Sequence, residues 1–172
     1  LALCTSNLPD VDVIPSEHFN TVLYTGNGGT NAITGVGFAP DFVWLKDRDS
    51  ADWHLLFDLV RGAAKRIYSN STNTEDGTTT TLTSFDTDGF TLGSHANSNS
   101  SGSSSVSWNW KANGSGSSNT NGSITSTVSA NVDAGFSIVS YTGASGAKTV
   151  GHGLSKAPEM IIVKDRSSAQ EW

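Results

Sequence analysis

Eight residues near the start of the chain, Phe19 to Gly26 (FNTVLYTG), return 117 positions later as Phe136 to Gly143 (FSIVSYTG), and this recurrence constrains the fold more than any other feature. After one inserted residue the match resumes. Gly35 to Pro40 falls on Gly153 to Pro158, and Phe42-Val-Trp-Leu-Lys-Asp-Arg48 falls on Met160-Ile-Ile-Val-Lys-Asp-Arg166. The pattern predicts one unit and the start of another within 172 residues. The second copy stops at Trp172, near the equivalent of Trp53, and is too short to bury a full core by itself. The expected organisation is a linker from a preceding module over 1–18, a first module over 19–112, a linker over 113–122 and an incomplete second repeat over 123–172. The start at Leu1, without a methionine or a basic-then-apolar leader, reads as a piece of a longer protein.

The repeated segments have strand character. Phe42 to Leu45 and Met160 to Val163 are apolar at every position, as in a central strand covered on both faces. Val106, Trp108 and Trp110 alternate with Ser107, Asn109 and Lys111, which places the apolar trio on one face of a half-buried strand. Asp88 to Leu92 echoes Ala134 to Ile138, so Gly-Phe is expected to open strands. Asn27-Gly28, Asp76-Gly77, Asp88-Gly89, Asn113-Gly114 and Asn121-Gly122 are dipeptides suited to tight turns. Leucines between Trp53 and Tyr68 also fit a helical spacing, but Gly62 interrupts it. The favoured reading there is a strand over 54–59, a turn over 60–63 and a strand over 65–68.

Ser, Thr, Asn and Gly make up more than two-fifths of the chain, and these residues favour turns and strands over helix interiors. Ser94 to Ser105 and Asn113 to Ser123 are nearly all Ser, Asn and Gly, a composition too poor in apolar surface to order itself, and are read as a long loop and a linker. Together these signals predict an all-β chain: an antiparallel β-sandwich, jelly-roll or lectin-like, followed by the start of a second tandem copy.

The charge balance narrows the partners. A net charge of −6 opposes binding to phosphate backbones and anionic membranes, so neither nucleic acid nor membrane insertion is expected. The longest apolar runs span four residues, against the roughly 20 needed to cross a bilayer. Cys4 is the sole cysteine, which leaves no intrachain disulfide.

Candidate chemistry is sparse. Asp47, Asp49 and Asp52 form a D-x-D-x-x-D cluster whose oxygens would suit calcium, although only the first carboxylate recurs in the second copy. The alternative is a set of solvated loop acids. Asp86 and Asp88 read as turn caps. Trp53 follows a polar run and is the best candidate for an exposed, sugar-stacking indole. Arg61, Lys65 and Arg66 are the only basic cluster and would grip an anionic polysaccharide, a solvated face being the alternative. His18, His54, His95 and His152 lack zinc-site spacing. There is no G-x-S-x-G elbow and no evident carboxylate pair, so no enzymatic activity and no obligatory cofactor is expected.

Five segments taken together carry a resemblance: Tyr24-Thr-Gly-Asn-Gly28, Gly37-Phe-Ala-Pro-Asp-Phe-Val-Trp-Leu-Lys-Asp-Arg48, Leu56-Phe-Asp-Leu-Val-Arg-Gly-Ala63, Ser84-Phe-Asp-Thr-Asp-Gly-Phe90 and Ser107-Trp-Asn-Trp-Lys-Ala112. Nearly the whole chain resembles an uncharacterised repeat domain of marine bacteriophage tail-fibre and virion appendage proteins. The second copy departs from it at Ser155-Lys156, which stand in place of Gly37-Phe38. The resemblance implies a virion location, assembly in the host cytoplasm, contacts with other virion subunits, a homotrimer, and possible contact with host-surface polysaccharide. It supplies no catalytic residues. The expected function is a structural β-repeat module that contributes to attachment. The alternatives are a dedicated lectin-like carbohydrate-binding module and a non-binding decoration or spacer.

Overall fold

A computed structural model describes residues 13–172; Cys4 and most of the leading linker read over 1–18 lie outside the described residues. After a 3₁₀ turn at Pro15–Glu17, the first unit contains β1 (Phe19–Thr25), β2 (Asn31–Thr34), β3 (Phe42–Asp47), β4 (Leu55–Asp58), β5 (Lys65–Tyr68), β6 (Asp76–Gly77), β7 (Leu82–Asp86), β8 (Gly89–Leu92), the single helical turn α1 (Ala96–Asn99) and β9 (Ser104–Trp110). β10 (Ser117–Asn119), β11 (Ser126–Asn131) and β12 (Phe136–Tyr141) follow. The sheets run β1-β9-β3-β4-β5-β6, β2-β8-β7 and β10-β11-β12, and every ladder between these strands is antiparallel. The all-β sandwich is therefore present. Among the described residues no helix is long and apolar enough to cross a membrane.

The six-stranded sheet packs one face on β2-β8-β7. Val43, Leu45, Leu55, Phe57 and Tyr68 from the first meet Ile33, Leu82, Phe90 and Leu92 from the second in one buried cluster, with Val22 and Tyr24 packed against it. Each fully buried large apolar side chain there contributes about 1.5–3 kcal/mol, so this interface holds the sandwich together. β3 lies between β9 and β4, the central position its continuous apolar run predicts. The hairpin read between Trp53 and Tyr68 forms as β4 and β5, with Leu55 opposite Tyr68 and Leu56 opposite Ile67. Gly-Phe opens β8 and β12 as expected. At Gly89 the reason is steric: φ is +152°, and a Cβ would stand 1.9 Å from the Ile33 carbonyl oxygen.

The polarity of β9 is inverted relative to its sequence pattern. Val106, Trp108 and Trp110 do share a face, but Ser105, Ser107 and Asn109 on the opposite face are fully buried in the sandwich. Their neighbours explain this. Ser107 lies between Val22 and Leu45, and Asn109 between Asn20 and Val43. Small residues on the middle strand give the bulky side chains on either side room to close-pack. Asn109 Nδ2 donates to the Asn20 carbonyl at 3.1 Å and to Ser107 Oγ at 3.0 Å, which satisfies the amide nitrogen inside the core.

The tryptophans point the other way. On the outer face, Phe19, Trp110 and Phe42 stand in one cross-strand row, and Phe136 of β12 covers it, stacked on Trp110 at 6.0 Å and edge-on to Phe42 at 6.0 Å. The third sheet thus forms a third layer. Arg166 extends the join, donating from Nε and Nη2 to Glu75 at 2.8 and 2.9 Å and from Nη1 to Ser140 Oγ at 2.9 Å.

Three expectations need correction. The 113–122 segment, read as a linker, carries β10, which pairs with β11. Asp76-Gly77 is not a turn; it forms β6, opposite Lys65 and Arg66. Ser94 to Ser105, read as a loop unable to order itself, contains α1 and the fully buried Asn99. Its order comes from hydrogen bonds. Asn99 Nδ2 donates to Asn27 Oδ1, Gly29 O and Gly93 O at 3.0, 2.7 and 2.8 Å, and Oδ1 accepts from the Asn27 N–H and from Asn31 Nδ2, each at 2.9 Å.

The tandem-copy reading predicts the same pairing order for Phe19 to Arg48 and Phe136 to Arg166. The structure does not show it. β1 pairs with β9, whereas β12 pairs with β11, and Met160 to Val163 belongs to no strand. The physical reason is supply: β3 is held by β9 and β4, and residues 123–172 contain no counterpart of either.

The Glu75 clasp makes the join sensitive to acid. Burial alone would raise the Glu75 carboxyl, but hydrogen bonds from Arg166 and Arg61, with their charges, outweigh it and hold the group below its usual value of 4.5. A carboxyl depressed in the folded state adds stability above the unfolded pKa and loses it as pH falls through the folded value. Denaturation midpoints measured from pH 6 to 3 are therefore expected to drop below about 4.5, and to drop less steeply in Glu75→Gln. An unchanged pH profile in that variant would remove Glu75 as the cause.

Candidate functional site

The β4–β5–β6 corner assembles the most distinctive exposed surface. Pairing of Leu55 with Tyr68 places Trp53, two residues upstream of β4, beside the Tyr68 ring, edge-on at 5.0 Å and 72°. The His54 N–H donates to Asn70 Oδ1 at 3.0 Å and tethers the approach to the strand. Arg66 and Asp76 are directly opposite across β5 and β6, the arrangement in which unlike charges stabilise a strand pair. They form a two-pronged ion pair, Nε to Oδ1 at 2.5 Å and Nη2 to Oδ2 at 3.2 Å. The guanidinium lies 5.5 Å from the Tyr68 ring centre, and the Tyr68 hydroxyl donates to Asp76 Oδ2 at 2.7 Å. His95 Nε2 lies 3.1 Å from Arg66 Nη1.

From the far end of the chain, Trp172 Nε1 donates to the Tyr68 carbonyl at 2.6 Å. Trp53 and Trp172 are 42% and 39% exposed, so two half-exposed indoles contact a buried tyrosine whose hydroxyl is bonded to the arginine–aspartate pair.

The electrostatics keep these groups in set protonation states. Burial, followed by its hydrogen bond to Asp76, pushes the Tyr68 phenol up to about 12, so it remains a donor. Burial would raise Asp76, but hydrogen bonds from Arg66 and Tyr68 hold it below the ordinary aspartate value, so it remains a carboxylate acceptor. Burial first, then the Arg66 charge, lowers His95 and favours its neutral form. The arrangement offers flat apolar faces beside fixed donors and acceptors, the combination that recognises a ring with one apolar face and a hydroxylated rim.

Of the residues singled out in the sequence, Trp53 and Arg66 meet here. Lys65, on the same strand, is exposed. Arg61 is not a surface cation: its side chain is 4% exposed and bonds Asp58, Glu75 and the Leu56 and Lys65 carbonyls. Neither arginine belongs to a solvated basic face, because each is neutralised by a carboxylate of its own hairpin.

The aspartates are not brought together. Asp47 is buried and accepts from the N–H groups of Asp49 and Ser50 at 2.8 and 3.1 Å. Asp49 turns to the Ser104 N–H at 2.6 Å, and Asp52 accepts from Ser50 Oγ at 2.8 Å. Among the described residues no group of three His, Cys, Asp or Glu side chains is placed to hold a metal ion. Backbone N–H groups hold Asp47 and Asp49, and the Ser50 hydroxyl holds Asp52. Asp88 does cap a turn, but across the sheet, accepting from the N–H groups of Gly35 and Gly37 at 3.0 and 2.6 Å.

Tyr68, Asp76, His95 and Trp172 were not singled out from the sequence as site residues. For Trp172 a signal existed, since it ends the second copy near the equivalent of Trp53. Asp76 had none, because its role depends on the register of a hairpin.

A family model described as a domain of unknown function, DUF7483, matches residues 14–172. No curated protein and no solved structure matches the chain.

Proposed function

We propose that this chain, which belongs to the DUF7483 family, is a structural β-module of a bacteriophage tail fibre or virion appendage that contributes to attachment to host-surface polysaccharide. The phage context rests on the sequence resemblance. The attachment role rests on one observation: two half-exposed tryptophans, Trp53 and Trp172, both contact Tyr68, whose hydroxyl is bonded to Asp76 of the Arg66–Asp76 pair. A sugar ring laid on an indole buries its C–H face, and its hydroxyls meet a carboxylate and a guanidinium whose charges are already paired.

The test is binding of the fluorescently labelled chain to an array of bacterial surface polysaccharides, with calcium and with chelator, followed by assay for released reducing ends. Saturable binding without cleavage is expected, unaffected by chelator. Trp53→Ala should weaken it by about tenfold or more, the loss typical of an aromatic anchor, with the thermal midpoint nearly unchanged. Binding that survives Trp53→Ala would dismiss this corner as the contact. Absence of binding to any glycan would favour the spacer or decoration reading.

A further inference from the structure

Three Asn-Gly dipeptides, at 27–28, 113–114 and 121–122, share a latent reaction. The backbone nitrogen that follows an asparagine can close on the carbonyl carbon of that asparagine's side chain, and glycine, with no side chain of its own, allows the approach. Asn113 and Asn121 stand in the same tripeptide, Asn-Gly-Ser, so local sequence does not rank them. The fold does.

At Asn27 both reacting groups are held. Its Nδ2 donates to the Thr30 carbonyl at 3.0 Å, and its Oδ1 accepts from the Gly29 N–H and Asn99 Nδ2 at 2.8 and 3.0 Å. The Gly28 N–H donates to the Asn99 carbonyl at 2.8 Å. At Asn113 the nitrogen is held, because the buried Asp41 carboxyl draws hydrogen bonds from the Ala112 and Gly114 N–H groups. Asn121 differs from both. Among the described residues neither its side-chain amide nor the Gly122 N–H makes a hydrogen bond. Both residues are exposed, and with Thr149, Gly151 and His152 they line an open cavity of about 380 Å³, which admits water. Glycine is required at 122, where φ is +113° and a Cβ would stand 2.6 Å from the Thr149 carbonyl oxygen.

We infer that Asn121-Gly122 is a self-modification site, at which the folded chain converts Asn121 to aspartate and isoaspartate. The Gly122 nitrogen loses its proton and bonds to Cγ of Asn121, whose C–N bond breaks to release ammonia. Water then adds to one or the other carbonyl of the cyclic imide, giving aspartate or isoaspartate with no oxidant, reductant or cofactor. The isoaspartate route carries the side-chain carbon into the main chain and lengthens it by one methylene. The lengthening falls beside a close clasp between the segment entering β11 and the segment after β12. There the Ser123 and Ile124 N–H groups donate to the Thr149 carbonyl at 2.9 and 3.1 Å, and the Thr149 N–H donates to Ser123 Oγ at 2.9 Å. Gly151 is so near that a Cβ on it would lie 2.4 Å from the Asn121 carbonyl oxygen. A longer backbone cannot hold that register, so the clasp loosens as the protein ages. This site is independent of the polysaccharide reading.

The experiment ages the whole chain in neutral buffer, folded and in urea, and follows the masses of its proteolytic peptides. In the folded chain, conversion at Asn121 is expected to run about tenfold or more faster than at Asn27 or Asn113, where hydrogen bonds must first break. In urea the rates at Asn113 and Asn121 should converge, since their tripeptides are identical. Amide exchange at Ser123, Ile124 and Thr149 should quicken as Asn121 is consumed. Asn121→Gln disfavours ring closure and removes no side-chain hydrogen bond found among the described residues, so it should fold as the parent does and lose both the conversion and the loosening. Equal rates in the folded chain, or faster conversion at Asn27 or Asn113, would overturn the inference. A rate difference between Asn113 and Asn121 that persists in urea would do the same, and complete conversion with unchanged exchange would remove the loosening.

Discussion

Replacing Asn99 by leucine is expected to destabilise the sandwich by about 3–5 kcal/mol, a large share of the roughly 5–15 kcal/mol that holds a domain folded. Leucine is of similar size, so the loss is not one of volume. It removes the donor for the Gly29 and Gly93 carbonyls and the acceptor for the Asn27 N–H, and each buried backbone group left unpaired costs about 1–3 kcal/mol. Asn99→Asp sharpens the argument. At neutral pH it sets a carboxylate oxygen against three acceptor oxygens, with repulsion added to desolvation. Its stability should recover in part in acid, where a protonated carboxyl donates one hydrogen bond. Urea unfolding at pH 7 and pH 4 measures both effects. A midpoint for Asn99→Leu close to that of the parent would show that solvent, not Asn99, satisfies those groups.

Replacing Arg61 by leucine is expected to cost a comparable amount, about 3–5 kcal/mol, because it strands the buried Asp58 carboxylate and leaves Glu75 with Arg166 as its cation. Asp58 and Glu75 side chains are only 6% and 12% exposed, and Arg61 is the cation between them. The cost is mainly that of uncompensated buried charge, so adding Asp58→Asn to Arg61→Leu should restore part of the lost stability. Arg61→Lys keeps the charge but loses the planar fork that also reaches the Leu56 and Lys65 carbonyls, and should recover only in part. The same measurement separates structure from recognition. A polysaccharide-gripping Arg61 would lose binding without losing stability, whereas the buried clasp predicts the reverse.

Much of the architecture was legible in the sequence. The continuous apolar run at Phe42 to Leu45 marked the central strand, Gly62 marked the break in a false helix, and the spacing of Trp53 to Tyr68 marked the β4–β5 hairpin. Trp53 and Arg66 were identifiable as surface-chemistry candidates from their polar surroundings and charge. Asp76 was misread because the partner of a charged side chain in a sheet is set by cross-strand register, which no local spacing reveals, and Arg61 because the turn between β4 and β5 folds it back onto Asp58 and Glu75 and so buries it. β9 was misread in polarity because alternation shows that two faces differ but not which one a neighbouring sheet will cover. Asn99 was missed because composition counts apolar surface, while this loop is ordered by a saturated side-chain amide.

The repeated Lys-Asp-Arg segment divides the two kinds of information most clearly. Asp47 accepts from the N–H groups of Asp49 and Ser50 at 2.8 and 3.1 Å, and Asp165 accepts from those of Ser167 and Ser168 at 2.7 and 3.2 Å. The same turn forms twice because all its donors and acceptors lie within a few residues. The apolar runs just before it share a pattern but not a fate. Phe42 to Leu45 is a strand in the sheet, and Met160 to Val163 is exposed chain. A turn carries its own hydrogen bonds, so sequence alone determined it. A strand borrows its hydrogen bonds from segments distant in the chain, so only the tertiary structure, by setting β4 and β9 on either side of Phe42 to Leu45, decided that this run became the centre of a sheet.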